Sequence, residues 1–164
     1  WDELLQVREF AGDFSESGLE RRRKREFGSL IHELLERSSS KSDAMMGLEE
    51  FFFQGRLDQA EKEIVHVQLT VLFDDPRFAS WFSGENRSLV EQGIILPGGQ
   101  QKRPDRILVG KDCVTVVDFK TGEAQEKYMT QLLGYMALVR EMTGLPGKGF
   151  ICYLESAEIV EVAG

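Results

Sequence analysis

Cysteine is scarce in this chain of 164 residues: Cys113 and Cys152 are the only two. Two thiols cannot supply a four-thiolate zinc or iron–sulfur site, so no such cluster is expected. Both sit in strand-like apolar stretches, which reads as buried, reduced thiols and fits a reducing, cytoplasmic compartment. Long apolar runs are missing too. None approaches membrane-spanning length, which argues against a bilayer partner, and none reads as a secretory signal. No internal repeat and no long linker stands out. What remains is an ordinary globular balance, 41% hydrophobic and 29% charged, enough for one domain with a real core. The chain opens on Trp1 rather than Met and is expected to be a piece of a longer polypeptide.

The net charge of −8 argues against a protein that coats nucleic acid nonspecifically. It leaves room for a nucleic-acid enzyme, because acidic ligands in a site themselves add negative charge. Arg21, Arg22, Arg23, Lys24 and Arg25 form the one dense basic run. A solvated face is the commonest meaning of such a run, and phosphate contact is the other.

Residues 1 to about 85 read as helical. Phe27, Leu30, Ile31, Leu34 and Leu35 recur at helical spacing until Ser38-Ser39-Ser40 ends the segment. Leu48, Phe51 and Phe52 suggest a second helix that stops near Gly55, and Leu57 to Phe73 a third. Asp74-Asp75-Pro76 starts a short helix expected to carry Phe78, Trp81 and Phe82. After Gly84 the pattern changes. Strands are expected over Ser88–Leu96, Arg103–Val109 and Val114–Lys120, with turns at Pro97-Gly98-Gly99 and Gly110-Lys111-Asp112. A long proline-free helix follows from Gln125 to Met142, closed by Gly144, Pro146, Gly147 and Gly149. Phe150–Leu154 is a further strand, and Ile159–Val162 begins another. The order predicts an α/β protein: a mixed sheet core, αβββαβ, behind an N-terminal helical subdomain. The expected division is 1–85 for the helical subdomain and 86–164 for the sheet core, integrated in one domain.

Chemistry concentrates in "VVDFKTG", Val116 to Gly122. Residues two apart on a strand share a face, so Asp118 and Lys120 point the same way. With the preceding turn centred between Lys111 and Asp112, Val109 pairs with Val114, Ile107 with Val116, and Asp105 with Asp118. Directly opposed residues also share a face, so Asp105, Asp118 and Lys120 converge. Two carboxylates held that close repel: one takes up a proton, or a cation sits between them. Hard divalent ions such as Mg²⁺ favour oxygen ligands and keep water positions open for substrate phosphates. The bland reading is a structural salt bridge at a strand end.

With Pro104-Asp105 followed by Asp118-Phe119-Lys120, the sequence resembles the PD-(D/E)xK nuclease superfamily, whose fold is restriction-endonuclease-like. It is most similar to the RecB-like branch, the nuclease domains attached to helicases of the AddAB/RecBCD repair type. The likeness covers residues from about 27 to 155 and rests on four separated motifs. "FGSLIHELLE" is similar to the branch's Gly-x-x-x-His-x-x-Leu helix and makes His32 a metal ligand; by itself, His32 reads as exposed or core-satisfied. The small Gly28 lets that side of the helix approach a neighbour. "RPDRILV" makes Asp105 a metal ligand, with Pro104 where many relatives carry an aliphatic residue.

"VVDFKTG" maps Asp118 to the acidic ligand, Lys120 to the catalytic lysine and the Phe119 carbonyl to a further metal contact. "QLLGY" gives Gln131 and Tyr135, one turn apart on one helix face, as substrate-positioning residues; alone, Tyr135 reads as core beside Tyr128, Leu132 and Met136. Glu91 stands where relatives often carry a glutamate and is an outer acid of the site. The resemblance thus implies an Mg²⁺-dependent deoxyribonuclease, an exonuclease of DNA repair and recombination, with Mn²⁺ as a substitute. Its partners would be DNA and a helicase domain or subunit, in cis or in trans. The other open reading is a catalytically silent nuclease-fold module for DNA binding or helicase docking. A carboxylate-pair glycosidase is a remote third, because its acids need a gap of roughly 5 Å or more and no lysine.

Overall fold

A computed structural model of the chain describes residues 16–84, 87–88, 104–122 and 124–163. Among the described residues, four helices come first: α1 (Glu16–Arg37), α2 (Lys41–Phe53), α3 (Gln59–Asp74) and α4 (Pro76–Ser80). Strands β1 (Arg87–Ser88), β2 (Arg106–Val109) and β3 (Val114–Lys120) follow, then α5 (Glu126–Thr143), β4 (Gly147–Tyr153) and β5 (Glu158–Val162). The strands form one mixed sheet in the order β1-β2-β3-β4-β5. Among the described strands only the β3–β4 pair is parallel, and α5 makes its crossover. This is the expected α/β restriction-endonuclease-like architecture. Among the described residues, no helix is long and apolar enough to cross a membrane.

The helix boundaries follow from capping. The three serines after α1 do more than stop it: Ser40 accepts the Asp43 N–H at 3.1 Å and so caps α2. Asp58 and Glu61 form a reciprocal capping box, which starts α3 at Gln59 rather than at Leu57. Asp75 caps α4 with Pro76 at its first position. That helix is shorter than expected. Phe78 is on it, but Trp81 is its C-cap and Phe82 lies beyond.

The sheet divides two apolar clusters. Leu108, Val117, Phe119, Phe150 and Cys152 face the N-terminal helices, joining Leu34, Leu35, Phe51 and Phe78. Ile107, Val114, Val116 and Ile151 face α5, joining Leu132, Tyr135, Met136 and Val139. Alternation along β3 therefore places Val114, Val116, Asp118 and Lys120 on the α5 side. Phe51, Phe78 and Phe119 are no more than 2% exposed. Each such side chain contributes about 1.5–3 kcal/mol on burial, so the helical layer is bound to the sheet by a shared core.

Two strand limits differ from expectation. β2 begins at Arg106; Arg103, the expected start of the strand, lies outside the described residues, Pro104 is outside the strand, and Asp105 sits in the bend before it. Its carboxylate, not its backbone, meets β3 there, while Pro104 has no N–H to give a ladder. β4 starts at Gly147, three residues before Phe150, so Gly147 and Gly149 belong to the strand instead of punctuating a loop. The reason is α5: a Cβ on Gly149 would collide with the Met136 sulfur and the Leu132 side chain. The missing side chain lets the helix lie close on the sheet. The expected strand over Ser88–Leu96 is described only at Arg87–Ser88, which pair with Val109 and Leu108. Its remainder and the Pro97-Gly98-Gly99 turn lie outside the described residues.

Candidate active site

The β2–β3 register is the anticipated one, with Val109 opposite Val114 and Ile107 opposite Val116. Asp105 lies one step beyond the paired residues. Its Oδ2 accepts the Phe119 N–H at 2.6 Å, a charge-assisted bond that ties the bend to the end of β3. Its Oδ1 is 2.8 Å from His32 Nε2. A residue from the helical layer and one from the sheet thus meet at a single carboxylate. The Phe119 ring supports the imidazole edge to face, with centroids 6.2 Å apart.

Asp118 is 2% exposed. Burial first, and then the charge of Asp105, raise its carboxyl to about 6, with Lys120 opposing both. Lys120 Nζ stands 2.5 Å from Asp118 Oδ2, an ion-pair separation. That ion pair is the contact of Oδ2, which is buried and makes no hydrogen bond besides it. The strand backbone is pinned at this point by the Leu154 N–H, which donates to the Lys120 carbonyl at 2.9 Å. Gly122 then turns the chain away with φ 89°, a conformation that favours glycine.

The hydrogen bond that His32 donates to Asp105 holds its imidazole above the usual pKa, against the opposing effect of burial. On α5, Gln131 Nε2 donates to the Tyr135 hydroxyl at 2.9 Å. Tyr135 is both a core residue, at 2% exposure, and a neighbour of the acids, whose charges help burial to raise its phenol. The structure therefore brings His32, Asp105, Asp118 and Lys120 together, with the Gln131–Tyr135 pair behind them. Glu91 lies outside the described residues, as do the side chains of Arg21 to Arg25, although their backbone is part of α1.

Three residues near these groups have no role in the sequence reading. Tyr128 figures there only as a core neighbour of Tyr135, yet its ring lies 4.9 Å from Lys120 Nζ. Its seven-residue spacing from Tyr135 was the available signal. Thr121 fills the space that a Cβ on Gly28 would need, 2.6 Å from Thr121 Cγ2, so the missing side chain admits β3 to α1. Arg106 is buried, which nothing in an arginine's sequence context announces. A cleft of about 330 Å³ opens between these elements. It is bounded by Gly28 and His32 of α1, Phe119, Lys120 and Thr121 at the end of β3, and Tyr128 of α5.

Among the described residues, no three His, Cys, Asp or Glu side chains form a ready-made metal centre. His32 and Asp105 instead contact each other. The carboxylates still suit a hard cation. Asp118 is buried, its Oδ2 has Lys120 as an ion-pair partner but no hydrogen bond, and a second carboxylate raises its proton affinity. An ion that takes one or two carboxylates and keeps its waters matches that donor set.

Comparison with curated proteins finds no significant match. The family model of the PD-(D/E)XK nuclease superfamily matches residues 3–163, nearly the whole chain. With the fold and the acidic strand ends described above, the chain belongs to the PD-(D/E)XK nuclease superfamily.

Proposed function

We propose that this chain is an exonuclease domain of the RecB-like branch, hydrolysing phosphodiester bonds in DNA that a helicase domain or subunit delivers. Its setting would be DNA repair and recombination in the cytoplasm. Nucleases of the superfamily use divalent metal ions such as Mg²⁺. The observation that carries the reading is the meeting of Asp105, Asp118 and Lys120 beside His32, with the buried Asp118 Oδ2 ion-paired to Lys120.

Asp105 and Asp118 would hold the ion, with His32 and the Phe119 carbonyl as further ligands. When bound, it would polarise the phosphodiester and lower the pKa of a coordinated water. The ammonium of Lys120, paired to Asp118, orients the attacking water and balances charge developing at phosphorus. Gln131 and Tyr135 position the strand, and Glu91 serves as an outer acid. Arg21, Arg25, Gly28 and His32 are spaced four, three and four residues apart along α1, so they share a helix face. DNA phosphates following Arg21, Arg22, Arg23, Lys24 and Arg25 would be led to the cleft, and binding would then weaken steeply with salt.

Cleavage of end-labelled linear and circular single-stranded DNA with Mg²⁺, Mn²⁺ or EDTA tests the reading. Metal-dependent loss of linear DNA is expected. Activity resistant to EDTA contradicts the mechanism, and cutting of circles removes the strict exonuclease reading. No cleavage with any metal, alongside intact DNA binding, would point to a silent docking module.

A further inference from the structure

Arg106 opens β2 and directly follows Asp105. It is 2% exposed, and among the described residues no carboxylate pairs with it. Its guanidinium donates instead to three backbone carbonyls: Nη1 to Trp81 at 3.1 Å, and Nη2 to Leu35 at 3.1 Å and to Ser38 at 2.5 Å. Its Cζ lies over the Phe82 ring, 4.0 Å from the centroid. Leu35 is in the last turn of α1, Ser38 just follows it, and Trp81 caps α4. Helix C-termini leave carbonyls without intrahelical partners and carry partial negative charge, which is what a buried cation without a carboxylate needs. Burial lowers the guanidinium to about 10, so it remains a cation at neutral pH.

Asp105 and Arg106 therefore grip the same helix at two heights. Asp105 meets the His32 side chain, and Arg106 takes carbonyls three and six residues further along. A helix held at both points cannot slide or rotate without breaking one of them. We propose that Arg106 is a positioning residue: it sets the height and rotation of α1 and thereby holds the His32 imidazole beside the Asp105–Asp118 pair. The role rests on the nuclease reading above. Lysine cannot replace it, because one ammonium cannot span acceptors on two helix ends while lying over Phe82.

The experiment compares the unaltered chain, Arg106→Lys and the exposed control Arg140→Lys, each assayed well below its melting temperature. Mn²⁺ affinity is read by electron paramagnetic resonance of the free ion, and kcat and KM are measured on linear single-stranded DNA. Arg106→Lys is expected to stay folded while Mn²⁺ affinity and kcat fall by about 10–100-fold and KM moves less than about threefold. Arg140→Lys should match the unaltered chain. A folded Arg106→Lys that binds Mn²⁺ and cleaves normally overturns the positioning role and leaves the nuclease reading standing. An unaltered chain that neither binds Mn²⁺ nor cleaves overturns the nuclease reading, and the positioning role with it. Should Arg106→Lys fail to fold, Phe82→Leu keeps the guanidinium and removes the ring beneath it. A lowered kcat at constant KM then supports the role, and an unchanged kcat refutes it.

Discussion

His32 Nε2 and Asp105 Oδ1 stand 2.8 Å apart, a polar contact that brings the helical layer to the acidic end of the sheet. On the far side of that carboxylate Asp118 is buried against a second acid, and the chemistry of the site follows from how this crowding is relieved.

Asp118 titrates near 3.8 when unfolded and at about 6 in the metal-free fold. Between these values the folded chain holds the extra proton, so stability falls as pH rises from about 4 to about 6, by on the order of 2–3 kcal/mol. Asp118→Asn removes the titration. The metal-free variant should be more stable than the unaltered chain near about pH 8 and lose that advantage by about pH 4, as read by urea denaturation. Mg²⁺ should raise the melting temperature of the unaltered chain at the higher pH and leave the variant unmoved. Parallel pH profiles for the two proteins would refute the account.

Lys120→Ala should lower cleavage by about a hundredfold or more, with DNA binding little changed. Filter binding in Ca²⁺ beside single-turnover cleavage in Mg²⁺ separates the two quantities. Equal loss of both would assign Lys120 to substrate binding.

Gly28→Ala forces a Cβ to within 2.6 Å of Thr121 Cγ2. Overpacking of this kind costs about 1–3 kcal/mol, and the α1–β3 approach beside His32 should widen. Thr121→Gly should restore part of the loss, which a double-mutant cycle in denaturant would show as a coupling energy. Additive single effects would mean that the two residues do not share the space.

Cys152 is fully buried and its thiol is pushed up to about 12, while Cys113 is partly exposed. Only a thiolate reacts readily, so Cys113 should be modified by an aromatic disulfide reagent in the folded chain and Cys152 only after unfolding. Rapid native labelling of Cys152 would count against the packing of β4 on the helical layer.

Much of the sheet was legible because its signals are local. The turn at Lys111-Asp112 and the alternation along β3 determine the pairing of Val109 with Val114, and the same alternation puts Asp118 and Lys120 on one face. Helical spacing likewise located α1 and put Gln131 and Tyr135 on one helix face, although only the family resemblance singled that pair out. The limits of β2 and β4 were not legible. Asp105 ends its strand by using a side chain where a backbone bond was expected, and Gly149 stays in its strand because a helix distant in sequence covers it.

The sequence by itself determined the order of elements, the acids at the ends of two neighbouring strands and the lysine beside one of them, since strand geometry repeats every two residues. Only the tertiary structure decided that His32 meets Asp105 and that Arg106 is buried among helix-end carbonyls. It also decided that Tyr128 lies over Lys120. These contacts join residues far apart in the chain, and their positions depend on how two layers pack across a shared core rather than on any local preference.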